Sequence, residues 1–154
     1  MTIQQICTFF LNSTCFGIEV ENVQEVIRQQ PLTQVPLAAP DICGLMNLRG
    51  RIIPVVDLSR RLGLRSVACD IRAGTEDQPI YHIIVNAADD VVSFVVDDIG
   101  DVLECWVKTL EPPPATLDLH IRSALKGVYK LEHEFLLVLN TQKALDLSLS
   151  GRYS

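Results

Sequence analysis

Positive charge is in short supply in this chain, and so are aromatic rings, paired cysteines and long apolar runs. The 154 residues hold 13 Lys and Arg against 19 Asp and Glu, a formal net charge of −6 with a pI near 4.9. A binder of bulk nucleic acid needs a basic face, so no nucleic-acid partner is expected. No apolar run approaches the ~20 residues that a membrane-crossing helix requires. The opening MTIQQICTFF also lacks the basic start and long apolar core of a signal peptide. These gaps predict a soluble cytoplasmic protein with no direct membrane insertion. The five cysteines, Cys7, Cys15, Cys43, Cys69 and Cys105, form no CxxC pair and no even-numbered framework. They read as small buried hydrophobes in a reducing compartment.

Patterns that carry chemistry are missing too. His82, His120 and His133 are far apart and show no HExxH spacing. No Ser or Cys falls in a GxSxG-type nucleophile motif, and there is no glycine-rich phosphate cradle. The acids Asp89, Asp90, Asp97, Asp98 and Asp101 cluster in sequence, as a hard cation would require. Strand alternation, however, would send Asp97 and Asp98 to opposite faces, and Asp89-Asp90 reads as a turn. The expectation is no catalytic residue, no metal and no cofactor.

What the chain does have is 48% hydrophobic residues in short, β-branched runs punctuated by Gly, Pro, Asn and Asp. Ile6 to Leu11, Cys15 to Val20, Ile52 to Val56, Tyr81 to Val85, Val91 to Val96 and Phe135 to Leu139 read as strands. Asn12-Ser13 and Ala88-Asp89-Asp90 fall where hairpin turns belong. Pro54 cannot donate to a ladder, which predicts an edge or a bulge. Asp57 caps a short helix over Leu58 to Leu62 that Gly63 stops, and Gln142 to Leu149 is its counterpart at the end of the chain. Gln29 to Pro40 and Lys108 to Leu119, with the triple proline Pro112 to Pro114, read as irregular. Many short strands with little helix imply a mainly β fold of small barrels rather than a parallel sheet.

The segment Gly44 to Leu58, GLMNLRGRIIPVVDL, occurs twice in different dress. Its second copy is Gly127 to Thr141, GVYKLEHEFLLVLNT, and Gly17 to Val26 pairs with Ser93 to Val102 in the same way. The expected organisation is one domain over 1–154 made of two half-repeats, roughly 8–64 and 80–147, each covering the other's apolar face. The N-terminal strand is free to cross to the other lobe. Charge differs between the parts. Asp41 to Arg65 holds five Arg against two Asp, whereas Asp70 to Asp118 holds eleven acids against two bases. Opposite patches on one small molecule suit end-to-face association.

The blocks GIEVENVQEV, GLMNLRGRIIPVVDLSRRLGL, FVVDDIGDVL and ALKGVYKLEHEFLLVLNTQKAL resemble the CheW coupling proteins of bacterial chemotaxis, from about Thr8 to Leu147. The resemblance implies two small five-stranded SH3-like β-barrel subdomains packed on a shared core, with short helices. It also implies a non-enzymatic scaffold that couples the cytoplasmic tip of methyl-accepting chemoreceptors to the regulatory domain of a CheA-type histidine kinase. Higher-order rings or arrays would follow from such contacts. Two departures stand out: Ser93 lies where the family often has Gly, and the first strand begins almost at once. An adaptor for twitching motility, polar organisation or biofilm control is the alternative. From another class, so is a small hydrolase on a double barrel.

Only one copy of the repeat carries Asn47-Leu48-Arg49-Gly50, which makes that block the candidate site. Arg49 matches the family's partner-contacting arginine, and its planar donor fork suits carboxylates. Glu25 is its expected companion, Asn47 opens the block, and Gly44 lies by resemblance at the same receptor-facing surface. A side chain at Gly44 would clash with a docked helix or with the turn itself. Val20, Val23, Val26 and Val102 are candidates for an apolar groove between the halves.

Overall fold

The computed structural model describes residues 2–36, 39–64, 80–87 and 89–146. Ten strands among them form two five-stranded sheets. In chain order they are β1 (Ile3–Leu11), β2 (Thr14–Glu19), β3 (Val23–Arg28), β4 (Ile42–Leu48), β5 (Arg51–Asp57), β6 (Tyr81–Ala87), β7 (Asp90–Val96), β8 (Asp98–Trp106), β9 (Leu125–Lys130) and β10 (Phe135–Leu139). The helices are short: α1 (Leu58–Arg61), α2 (Leu119–Arg122) and α3 (Thr141–Asp146). Leu147 to Leu149 of the expected terminal helix lie outside the described residues, as do Ala88 and Cys69.

The sheets exchange hairpins. One runs β8-β1-β2-β10-β9 and the other β3-β6-β7-β5-β4. The hairpin that opens each half therefore belongs to the sheet completed by the other half. Two parallel seams make the joins, β2 to β10 at Phe16↔Leu137 and β7 to β5 at Phe94↔Val56. Each sheet curls toward a barrel, and the two irregular stretches draw its edges together. Past β3, Thr33 exchanges both backbone hydrogen bonds with Leu45 of β4, at 2.9 and 2.8 Å. Past β8, Glu111 does the same with Val128 of β9.

That closure explains the glycines that begin the repeated segment. A Cβ on Gly44 would lie 2.6 Å from the Thr33 carbonyl oxygen, and one on Gly127 would lie 2.7 Å from that of Glu111. The chain can cross over the strand only where no side chain stands.

Strands buried on both faces account for the unbroken apolar runs. Along β10, Leu136 and Val138 point into one lobe, while Leu137 and Leu139 point into the core between the lobes. Along β5, Ile53 and Val55 fill the other lobe and Val56 joins the shared core. Phe9 and Phe16 stack at the centre of that shared core with ring centroids 6.1 Å apart.

Of the two expected placements of Pro54, an edge or a bulge, the edge is excluded. β5 lies between β7 and β4, and Pro54 stands one residue before the β7 ladder opens at Val55↔Ser93. The nearby irregularity is in the partner strand, between Ile42 and Gly44. The acids of the expected cluster serve structure: Asp97 accepts the Asn12 amide at 2.8 Å, and Asp98 accepts that of Ile99. A buried ion pair locks α1 between the halves. Arg61 donates to Asp41 at 2.7 Å and to the Leu145 carbonyl at 2.8 Å, with its own carbonyl 2.8 Å from His120 Nε2.

Candidate functional site

Only Arg49 and Gly50 link β4 to β5, with Leu48 paired to Arg51. A two-residue hairpin link matches the twist of its strands best when both residues take positive φ. Here φ is 53° at Arg49 and 84° at Gly50. Glycine adopts that conformation freely, but for arginine it costs about 1 kcal/mol. The Asn47 Oδ1 accepts the Gly50 amide at 2.9 Å and ties the turn from the side.

From this tip the Arg49 side chain reaches back across the sheet and donates to Glu25 Oε1 of β3 at 2.5 Å. The two side chains are 67% and 27% exposed, so water screens the pair and its contribution to stability is ~0–1 kcal/mol. Its effect is to aim the guanidinium while leaving most of the donor fork in solvent.

The structure thus brings Arg49, Glu25 and Asn47 together. Val26, next to Glu25 on β3, is 37% exposed. Val20, in a short 3-10 turn, and Val23 are half-buried, and Val23 packs on the shared core. Val102 is exposed on β8, the edge of the other sheet, at the position the repeat matches to Val26. Gly44 is buried, with the Thr33 bridge above it. A side chain there would meet neither the turn nor a docked helix first, but the Thr33 carbonyl of the stretch after β3.

Ile52, at the start of an expected strand, is a site residue that the apolar run conceals. It is 67% exposed, opposite Asn47 on the hairpin. Its partner by the repeat, Phe135, is 58% exposed on the other lobe. Alternation from the buried Ile53 was the signal that could have found it. Also missed was a wholly buried polar pair: His82 Nδ1 lies 3.0 Å from Ser93 Oγ, while His82 Nε2 accepts the Gln30 amide at 3.4 Å. Burial pushes the His82 imidazole down to about 4, so it is neutral, with its proton on Nδ1. Ser93, the departure noted from the family pattern, is what receives that proton's hydrogen bond.

Burial, assisted by Glu134, pushes the Cys15 thiol up to about 11, and burial raises Cys7 and Cys105 as well. None of these three is a thiolate at neutral pH. Among the described residues, no group of His, Cys, Asp and Glu is placed to hold a metal ion, and no helix is long and apolar enough to cross a membrane.

Residues 5–148 match the CheW-like domain. The chain belongs to the CheW-like family. It is 29% identical to the chemotaxis protein CheW of Bacillus subtilis, over 94% of this chain and 88% of that one. To the CheW of Thermotoga maritima it is likewise 29% identical, over 92% of this chain and 87% of the relative. The crystal structure of the scaffolding protein TtCheW from Thermoanaerobacter tengcongensis superposes with a TM-score of 0.77 at 27% identity. That match covers 94% of this chain and 88% of TtCheW. CheW-like proteins are chemotaxis adaptors that work as scaffolds rather than as enzymes, and this one is a scaffold on the CheW fold. The alternative of a small hydrolase is set aside on that ground.

Proposed function

We propose that this CheW-like chain works in the cytoplasm and couples the tip of methyl-accepting chemoreceptors to the regulatory domain of a CheA-type histidine kinase. One observation carries the reading. The Arg49 guanidinium stands in solvent, 2.5 Å from Glu25, with the exposed apolar residues Val26 and Ile52 on the same two edge-proximal elements. A charged fork beside apolar surface suits a protein partner that presents a carboxylate and an apolar ridge.

A second face supports simultaneous occupancy. On the β9–β10 hairpin, Phe135 flanks an apolar groove of about 420 Å³ lined also by Pro112, Pro114, Leu117 and Leu137. The two matching hairpin tips carry opposite charge: Arg49 on one, Glu132 and Glu134 on the other. Unlike ends favour heterologous contacts, which close into rings or extend as arrays. The scaffold then acts by biasing the arrangement of its partners, with no reaction of its own.

The test is Arg49→Glu, measured by capture of the purified kinase regulatory domain and of a receptor-tip fragment from the same organism. Capture of one of them should weaken at least ~10-fold, a loss of the size expected when a charged contact at an interface is reversed. The melting temperature should hold within about 2 °C, because the pair is exposed. Full capture of both partners would end this reading. A large drop in melting temperature would make the arginine structural instead.

A further inference from the structure

The two hairpins matched by the repeat contrast in how their tips close. In β9–β10 the strands end at Lys130 and resume at Phe135, and within that longer link the Leu131 amide donates to the Glu134 carbonyl at 2.8 Å. Yet neither Glu132 nor His133 has positive φ, and among the described residues the non-glycine positions that do are Asn12, Ser13 and Arg49. Asn12 and Ser13 are short polar residues in a hairpin turn, where the left-handed region is commonly visited. Arg49 is the one long side chain of the three. The two-residue link favours left-handed residues, and the longer twin link closes without one.

The tips differ also at the residue two positions before the turn. Asn47 puts a carboxamide oxygen on the Gly50 amide at 2.9 Å. The matching residue is Lys130, which carries no acceptor and instead pairs with Glu111 at 3.3 Å. A backbone N–H can be faced only by the oxygen of an amide side chain, so the orientation of Asn47 is set. With Gly50 held in this way, the left-handed turn that the two-residue link favours is tied in place at Arg49. From that backbone the side chain leaves toward β3, where Glu25 receives it at 2.5 Å.

We infer that Asn47 is a positioning residue: its side-chain oxygen, through the Gly50 amide, holds Arg49 left-handed and so presents the guanidinium to a protein partner on the Glu25 side of the hairpin. The partner meets Arg49, and Asn47 acts through the turn. This rests on the proposed coupling role of Arg49, but the local part can be tested without any partner.

Asn47→Ala removes the acceptor, while Asn47→Asp keeps it and removes the amide donors. Exchange of the Gly50 amide should quicken ~3-fold or more in Asn47→Ala and stay near wild type in Asn47→Asp, as for an amide losing or keeping its only hydrogen bond. Capture of the kinase regulatory domain and the receptor-tip fragment should weaken ~3- to 10-fold in Asn47→Ala, because fewer molecules hold the competent arrangement. Asn47→Asp should restore capture to within about twofold, and Asn47→Ala combined with Arg49→Ala should be no worse than Arg49→Ala alone, the non-additivity of residues acting as one unit.

A Gly50 amide indifferent to Asn47→Ala would overturn the inference whatever the partners do. So would capture losses that add, or an Asn47→Asp that fails as badly as Asn47→Ala, since both would make Asn47 a contact in its own right. If Arg49→Ala changes no capture while the Gly50 amide responds as expected, the coupling role at Arg49 fails. The presentation to a partner then falls with it, and the turn geometry stands alone.

Discussion

Arg49 and His82 are polar residues placed in opposite ways: one is held out in water at a backbone cost, the other sealed inside with its hydrogen bonds met. The burial of His82 has a thermodynamic consequence with a definite sign. Its folded-state pKa, about 4, is below the ~6.5 of a free imidazole, so between those values the unfolded chain binds a proton that the folded chain refuses. The stability it contributes is fully present above about pH 6.5 and is lost as pH falls toward 4, by up to roughly 3 kcal/mol. Urea denaturation of the wild type and His82→Gln at pH 7 and pH 4.5 checks this: the gap between the two proteins should narrow or reverse at the lower pH. Equal pH slopes for both would show that the imidazole is protonated where it stands. Sequence gave no sign of this histidine's role, because its partners Ser93 and Gln30 meet it only through the pairing of β6 with β7 and β3. The companionship of Glu25 and Arg49 is expected from the sequence, although Glu25 lies in β3, a strand that the apolar pattern does not mark.

Among elements, the informative ones are those that carry an irregular segment over a glycine. Gly44 is at φ +152° beneath Thr33, and Gly127 lies beneath Glu111 and Leu110, with 2.6 and 2.7 Å to the nearest atoms of an added Cβ. Gly44→Ala and Gly127→Ala should each destabilise the chain by about 1–3 kcal/mol, the usual cost of forcing extra volume into a filled site. Thermal melts would show it, and Gly50→Ala offers a contrast: nothing lies within 4 Å of its added Cβ, so its cost comes from backbone alone. A melt unmoved by both Gly44→Ala and Gly127→Ala would mean that the crossing bridges open at little cost. Strands with continuous apolar runs, such as β7 and β10, were legible because both faces are buried. β8 was not, because Asp98, Asp101 and Glu104 break its pattern on an edge strand that faces solvent. The helix α1 was read correctly from its Asp57 cap, whose side chain accepts the Arg60 amide at 3.2 Å.

At the scale of the whole molecule, the exchange of opening hairpins makes each lobe depend on the full chain. Residues 2–64 supply two strands to one sheet and three to the other, and the Arg61 side chain ties Asp41 to the Leu145 carbonyl across the halves. Fragments 1–64 and 80–154 should therefore each lack cooperative unfolding alone, and the intact chain should melt in a single transition by both far-ultraviolet dichroism and tyrosine fluorescence. Either fragment folding alone, or two separated transitions, would contradict that dependence. By itself the sequence determined the β class and several strands and turns, because periodicity and turn residues are local properties of the chain. Only the tertiary structure decided which hairpin joins which sheet, what Gly44 lies under, that Ile52 faces water, and that His82 and Ser93 meet. Each of those depends on which strands pair across long separations, and short apolar runs of similar composition do not encode their partners singly; the shared core, closing around all of them at once, selects the arrangement.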